Sequence, residues 1–254
     1  MEQPFLSVIM PAYNEGQRLP SSLTKIAQFL PTLRHPSELI VVDDGSKDST
    51  AAIVHQYAKK YPFISLLSTS HGGKGHAVKN GMLSAKGNYL FACDADLSMP
   101  INEIVNFLPP VAQTYDVAIG SREVPGAQRY YEPSYRHLMG RVFNTIVRSL
   151  VVRGFADTQA GFKCFRREVA NAVFSYQTID GWAFDVEILH IAQKQGYRII
   201  EIPIQWYYKE SSQVRPVQDT VNMFREVLRI RRNSMKGLYD VKYENQIAST
   251  TAST

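Results

Sequence analysis

The 254-residue sequence has little cysteine and no long apolar stretch, and each shortage removes a class of protein. Its two cysteines, Cys93 and Cys164, are too few to staple a chain of this size. Both stand inside apolar, strand-like runs and are expected as buried, reduced thiols. No uninterrupted apolar run approaches the roughly 20 residues that cross a bilayer, so a transmembrane helix is not expected. The apolar run Phe5 to Met10 leads directly into Asn14-Glu15, unlike a secretory leader, and a cytoplasmic protein is expected. A Gly-x-Gly-x-x-Gly turn is missing after the first strand, which disfavours a dinucleotide dehydrogenase. Gly72-Gly73-Lys74-Gly75 lacks both the spacing and the following Ser or Thr of a phosphate loop. The six histidines show no metal-ligand spacing, and none is assigned a role. Internal repeats are absent, and the only biased stretch is the Ser/Thr/Ala-rich tail, expected to be disordered over 241–254.

What is present is an ordinary globular composition, 44% hydrophobic and 20% charged, carrying a formal charge of +5 that favours anionic partners. Short β-branched runs alternate with helical patterns through the first half. Strands are predicted at 6–10, 38–42, 63–67, 89–93 and 116–119, with helices over 19–30, 46–61, 75–85 and 102–113. Apolar strands separated by helices imply an α/β fold, a mostly parallel sheet covered on both faces. Further on, helices are predicted at 133–152 and 183–195, and strands at 161–165 and 199–208, the latter broken at Pro203. Residues 1–210 form the main domain in this reading. An appendage over 211–240 contains a basic amphipathic helix, 216–236.

In an open α/β sheet, ligands bind beyond the carboxyl ends of the strands. Three acidic motifs fall at such ends: Pro11-Ala12-Tyr13-Asn14-Glu15, Asp43-Asp44-Gly45-Ser46 and Asp94-Ala95-Asp96. Gathering carboxylates at one edge is costly unless a cation or hydrogen-bond donors balance them. Residues two apart on an extended end point the same way, so Asp94 and Asp96 are candidate ligands to Mg2+ or Mn2+. Lys74, near a helix start, can approach a diphosphate.

These motifs, with Gly120-Ser121-Arg122, Asp157-Thr158-Gln159-Ala160-Gly161-Phe162-Lys163 and Trp182-Ala183-Phe184-Asp185-Val186-Glu187, resemble the family 2 glycosyltransferases of GT-A fold. Within that family they look most like the dolichyl-phosphate β-glucosyltransferases. The resemblance runs in order from Leu6 to Arg232. It implies that Pro11, Ala12, Tyr13, Glu15 and Asp44 surround the base and ribose of a nucleotide-sugar, with Asp43 supporting them. It also implies Asp94 and Asp96 at the metal and diphosphate, Arg122 at phosphate, and Asp157, Gln159 and Lys163 at the sugar and acceptor. Two departures stand out: His71 occupies a loop position where relatives carry Asn, and Ser98 follows Asp94-Ala95-Asp96 where mannosyl relatives carry Gln.

The expected reaction is inverting transfer of a hexose, glucose from UDP-glucose, to a polyprenyl phosphate, catalysed by Asp94, Asp96, Asp157, Lys163 and Arg122. A phosphate monoester is largely dianionic at neutral pH and needs cations more than a general base. Arg129, Arg136, Arg141, Lys163, Arg166 and Arg167 fall in the half expected to receive it. Arg225, Arg229, Arg232 and Lys236 make one basic stripe beside Val221, Phe224, Leu228 and Met235, a pattern suited to peripheral contact with an anionic membrane on its cytoplasmic face. The alternatives are GDP-mannose as donor or a saccharide hydroxyl as acceptor. A nucleic-acid-binding protein is disfavoured, because three acidic strand ends interrupt any basic stripe.

Overall fold

The computed structural model describes residues 3–209 and 216–240, the side chains of residues 136, 143 and 216–220 excepted. The tail expected over 241–254 lies outside the described residues.

Strand β1 (Leu6–Ala12) carries an almost wholly buried run of apolar side chains, as a central strand covered on both faces requires. It pairs in parallel with β2 (Ser37–Asp43) and β4 (Tyr89–Ala92), and β2 pairs in parallel with β3 (Ile64–Ser68). Strand β7 (Lys163–Arg166) then runs antiparallel between β4 and β5 (Val117–Ser121), while β8 (Ile199–Pro203) lies parallel to β5 at the edge. The resulting order is β3-β2-β1-β4-β7-β5-β8. A separate two-stranded ribbon pairs β6 (Gln128–Tyr130) with β9 (Gln205–Tyr207), so the strand predicted over 199–208 is divided at its expected break into β8 and β9.

Alternation along the strands divides the core into two layers. Leu6, Val8 and Met10 of β1 face α1 (Leu19–Phe29) and α2 (Thr50–Lys60), whereas Ile9 faces the other side. On that other side pack α3 (Lys74–Ser84), α5 (Arg167–Ser175) and α6 (Phe184–Lys194). Helix α4 (Ser134–Leu150) and α7 (Pro216–Met235) also enter this second cluster, through Val147 and through Val227 and Ile230, followed by Tyr239 beyond the helix. The 216–240 segment is thus packed into the domain core. Cys93 and Cys164 are buried and free, as expected.

Two sequence expectations are corrected. The helix predicted over 102–113 is a short 3-10 segment, Ile101–Phe107, since Pro109 and Pro110 lack amide donors and force the preceding residue out of the helical region. Helix α2 begins at Thr50 instead of Ser46, because Asp48 accepts the Thr50 N–H and hydroxyl (3.0 and 2.5 Å) and holds the preceding residues in a turn. The helix predicted over 133–152 is present as α4, and its face bearing Leu138 and Val142 is exposed, at 64% and 54%.

Candidate active site

Three loops at the carboxyl edge of the sheet are tied together by backbone hydrogen bonds to side chains. After β1, Asn14 takes a positive φ of 52°; its N–H donates to Ser46 Oγ, and its side-chain oxygen accepts the Lys47 N–H. Asp43 accepts the Ser46 N–H at 3.1 Å. Asp44, only 2% exposed, accepts the Gly72 and Gly73 N–H groups at 3.0 and 2.8 Å. Its carboxylate also bonds His71 Nδ1 at 2.8 Å and His76 Nδ1 at 3.3 Å. The His71 ring stacks on Tyr13, with centroids 4.1 Å apart. Glycine is required at position 45, where φ is +72° and an added Cβ would lie 2.9 Å from the His71 amide nitrogen. Asp44 therefore organises the glycine loop. The two histidines beside it, given no role from sequence, are part of this edge. Glu15 pairs with Arg18 at 2.5 Å; burial raises its pKa, with Arg18 opposing.

Beyond β4, Asp94 and Asp96 have different neighbours. Lys74 Nζ lies 2.6 Å from Asp94 Oδ1, and an added Cβ on Gly161 would sit 2.1 Å from Asp94 Oδ2. One carboxylate oxygen therefore holds a cation, and the other abuts the backbone of the segment leading into β7. Burial would raise the Asp94 pKa, but Lys74, with Lys163 and Arg122 farther off, outweighs it and brings the value down. The same attraction outweighs burial at Lys74 and holds its pKa up at about 12. Asp96 accepts the Ser98 N–H at 2.8 Å, and its backbone carbonyl accepts a hydrogen bond from Lys209, a residue not anticipated from sequence. No group of three or more His, Cys, Asp or Glu side chains surrounds a cation position among the described residues. Two carboxylates suit a hard cation that completes its shell with water and substrate phosphate oxygens.

Lys163 is 1% exposed, and its ammonium donates to Asp185 Oδ1 at 2.6 Å and to the Ala160 carbonyl at 2.5 Å. Asp185, near the start of α6, is the buried counter-ion of Lys163 and also acts electrostatically on Lys74 and Asp94. Burial raises the Asp185 pKa, with Lys163 and Lys74 opposing. Glu187, also buried, accepts the Thr178 and Ile179 N–H groups and the hydroxyls of Thr178 and Tyr239.

Arg122 is paired with a carboxylate. It grips Asp157 through Nε (2.6 Å) and a terminal nitrogen (3.0 Å), and its guanidinium lies over Trp206. Burial would raise the Asp157 pKa, but Arg122 and the amides of Arg122 and Gln159 hold it well below the usual carboxylate range. Arg129 shares the Trp206 ring and pairs with Glu123 and Glu132. With Gln159, Asn144 and His137 these residues line a small cleft of about 50 Å3.

Pro11, Ala12, Tyr13, Glu15, Asp43, Asp44, Lys74, Asp94 and Asp96 thus share the carboxyl edge of the sheet, and Arg122, Asp157 and Gln159 lie at the adjoining cleft. Arg166 and Arg167 do not join them. Because β7 is antiparallel, Lys163 lies beside Ala92 at the site, whereas Arg166 lies beside Tyr89 at the opposite edge. The Arg136 side chain lies outside the described residues.

Residues 7–174 match the sequence model of Glycosyl transferase family 2. The chain is 37% identical over 252 residues to a dolichyl-phosphate beta-glucosyltransferase of Dictyostelium discoideum, covering 94% of this chain and 77% of that protein. It is 36% identical to the human protein of the same name, over 92% and 77% of the two chains. Among solved structures it is similar to glucosyl-3-phosphoglycerate synthase from Mycobacterium tuberculosis in complex with Mn2+, UDP-glucose and phosphoglyceric acid. There the TM-score is 0.62 at 18% identity, with 95% of this chain and 81% of that one covered, a likeness of fold.

Proposed function

The chain belongs to glycosyl transferase family 2, and on that premise we propose that it transfers glucose from UDP-glucose to a dolichyl-type polyprenyl phosphate, with a divalent metal, Mg2+ or Mn2+, at the diphosphate. The observation that carries this reading is the meeting, at one sheet edge, of the acidic tips of β1, β2 and β4 with the cation of Lys74. Relatives named for this reaction align over more than nine-tenths of the chain and supply the donor sugar and the acceptor class.

Departure of a nucleoside diphosphate places negative charge on phosphate oxygens while the anomeric carbon becomes cationic. The metal, held by Asp94 and Asp96 when bound, supplies charge that stabilises the leaving group. Lys74 reaches the same place from the first residue of α3, whose amino terminus itself favours an anion. Tyr13 and His71 offer a stacked aromatic surface to the base, and Asp44 fixes the loop that carries His71 and Lys74. The acceptor phosphate, dianionic near neutral pH, acts as nucleophile without a general base. Attack from the face opposite the diphosphate inverts the anomeric centre. Arg122 and Arg129, positioned on Trp206 and restrained by Asp157, Glu123 and Glu132, border the cleft where that phosphate would approach.

A lipid acceptor requires the protein to meet a membrane. Among the described residues, no helix is long and apolar enough to cross one. The exposed large hydrophobic side chains are nonetheless concentrated: all but Leu83, Val105 and Val111 lie in 131–142 and 221–238. On α7, Val221, Phe224, Leu228 and Met235 are exposed beside the basic stripe of Arg225, Arg229, Arg232 and Lys236. That combination suits the anionic cytoplasmic face of a membrane.

Incubating the protein with UDP-glucose or GDP-mannose, each against a short-chain polyprenyl phosphate and a soluble saccharide, tests the reading. Metal-dependent glucosyl transfer from UDP-glucose to the lipid is expected. Transfer only from GDP-mannose, or only to the saccharide, refutes it.

A further inference from the structure

We propose that Lys74 is the resident counter-ion of Asp94 in the nucleotide-free protein and has to leave before a divalent cation can bind, so that the metal enters together with the nucleotide diphosphate. The inference rests on the donor site described above and concerns the order in which that site fills.

The geometry is specific. Lys74 Nζ occupies Asp94 Oδ1 at 2.6 Å, while Oδ2 is backed by the Gly161 backbone. A metal ion at Asp94 and an ammonium on the same oxygen compete for one place, since two cations at contact distance repel. Lys74 is also poorly placed for any other partner in this state. It is the first residue of α3, at the positive end of the helix dipole, where a cation is disfavoured. Asp185, which also attracts it, is already paired with Lys163. The Trp182 ring, 5.4 Å from Nζ, provides an apolar wall along which the side chain can turn while its charge stays shielded.

A diphosphate arriving at the amino terminus of α3 changes each of these terms. It offers the ammonium a more highly charged anion, places negative charge where the helix end favours it, and frees Asp94 for the metal. Metal and nucleotide therefore bind with strong positive coupling, and by linkage each tightens the other by the same factor.

Mn2+ binding is measured by electron paramagnetic resonance on the full chain, without and with UDP. In the wild type, UDP is expected to tighten Mn2+ by about tenfold or more, within the usual range of such couplings. In Lys74→Met, Mn2+ alone is expected to bind about tenfold tighter than in the wild type, UDP more weakly, and the coupling to shrink severalfold. Lys74→Arg, which keeps the charge, retains the weak binding of metal alone. Unchanged or weaker Mn2+ binding by folded Lys74→Met overturns the proposal. Equal Mn2+ affinity with and without UDP in the wild type overturns it without recourse to any variant. Failure of UDP to bind under any condition removes the donor reading as well, whereas UDP binding without coupling removes only the role given to Lys74.

Discussion

Removing either partner of the Lys163–Asp185 pair should destabilise the protein far more than removing both. The pair is 1% and 4% exposed, and Lys163 has one further acceptor, the Ala160 carbonyl. Lys163→Met leaves a carboxylate in the core without its cation. Asp185→Asn leaves a buried ammonium without its carboxylate, with Asp94 only a more distant coulombic partner. Breaking a buried pair from one side costs about 3–5 kcal/mol. At roughly 2–4 °C per kcal/mol for a chain of this size, the melting temperature should fall by about 6–20 °C. Lys163→Met/Asp185→Asn retains the volume and removes both charges, so most of the loss should return, to within about 2 kcal/mol of wild type.

The two single variants should also differ in pH dependence. Burial already raises the Asp185 pKa, and Lys163→Met removes the largest opposing charge. The isolated carboxyl then takes up a proton more readily, and a group whose folded pKa is raised stabilises the folded state on the acid side. The deficit of Lys163→Met should therefore shrink as the pH is lowered from neutrality toward the unfolded carboxylate value of about 4. Urea unfolding of the wild type, both singles and the double variant supplies the full cycle. A cost below about 1 kcal/mol for either single, or strict additivity in the double, would refute the view that this lysine is held by its aspartate.

Gly161→Ala places a methyl group 2.1 Å from Asp94 Oδ2 and should weaken Mn2+ and UDP binding together, beside an overpacking cost of about 1–3 kcal/mol; calorimetric titration showing both affinities intact counts against Asp94 as a ligand. The Arg122–Asp157 pair stabilises through a lowered carboxylate pKa, so its contribution is present above the unfolded value of about 4 and fades as the pH falls below it. The stability gap between wild type and Asp157→Asn should stay level above about pH 5 and close under acid, and a gap that widens there contradicts the assignment. Phe224→Asp and Leu228→Asp alter exposed side chains, 42% and 45% accessible, so folding should be unchanged while co-sedimentation with anionic vesicles falls several-fold; retained sedimentation excludes this face of α7 as the contact.

The sheet was legible because its strands are apolar along their whole length, a pattern that only burial on both faces explains. The acidic strand tips could be placed for the same reason: a parallel sheet puts every carboxyl end at one edge. The pairings across that edge were not legible. Lys163 and Asp185 lie 22 positions apart and meet only because α6 packs back against β7. His71 and His76 acquire a place through Asp44, 27 and 32 positions upstream, and no spacing rule for metal ligands could have marked them. Strand direction was equally hidden. A four-residue strand reads alike in both senses, so Arg166 and Arg167 were expected near the acceptor although the antiparallel course of β7 carries them to the far edge. On α4 the apolar period read correctly as helical, but periodicity does not say what a helix face will meet, and Leu138 and Val142 are exposed.

Helix α7 shows how the exposed apolar surface and the donor edge belong to one unit. Its inner face packs Val227 and Ile230 into the core, and Glu226 on the same side accepts the Ala183 N–H at 3.0 Å. An added Cβ on Gly181 would lie 2.2 Å from that carboxylate, so the Glu226 side chain rests directly against the 181–183 segment. This segment also supplies Trp182 over Lys74, and the Asp180 carbonyl just before it accepts the His76 N–H at 3.2 Å. Below it, Tyr239 and Asn233 tie the end of α7 to Thr178 and Glu187 through buried hydrogen bonds. On the proposed function, a helix whose exposed face met a membrane while its inner face stayed fixed to the loop beside Lys74 would set the distance between that membrane and a bound diphosphate. With an acceptor phosphate anchored at such a surface, this distance would decide whether nucleophile and anomeric carbon can meet at all.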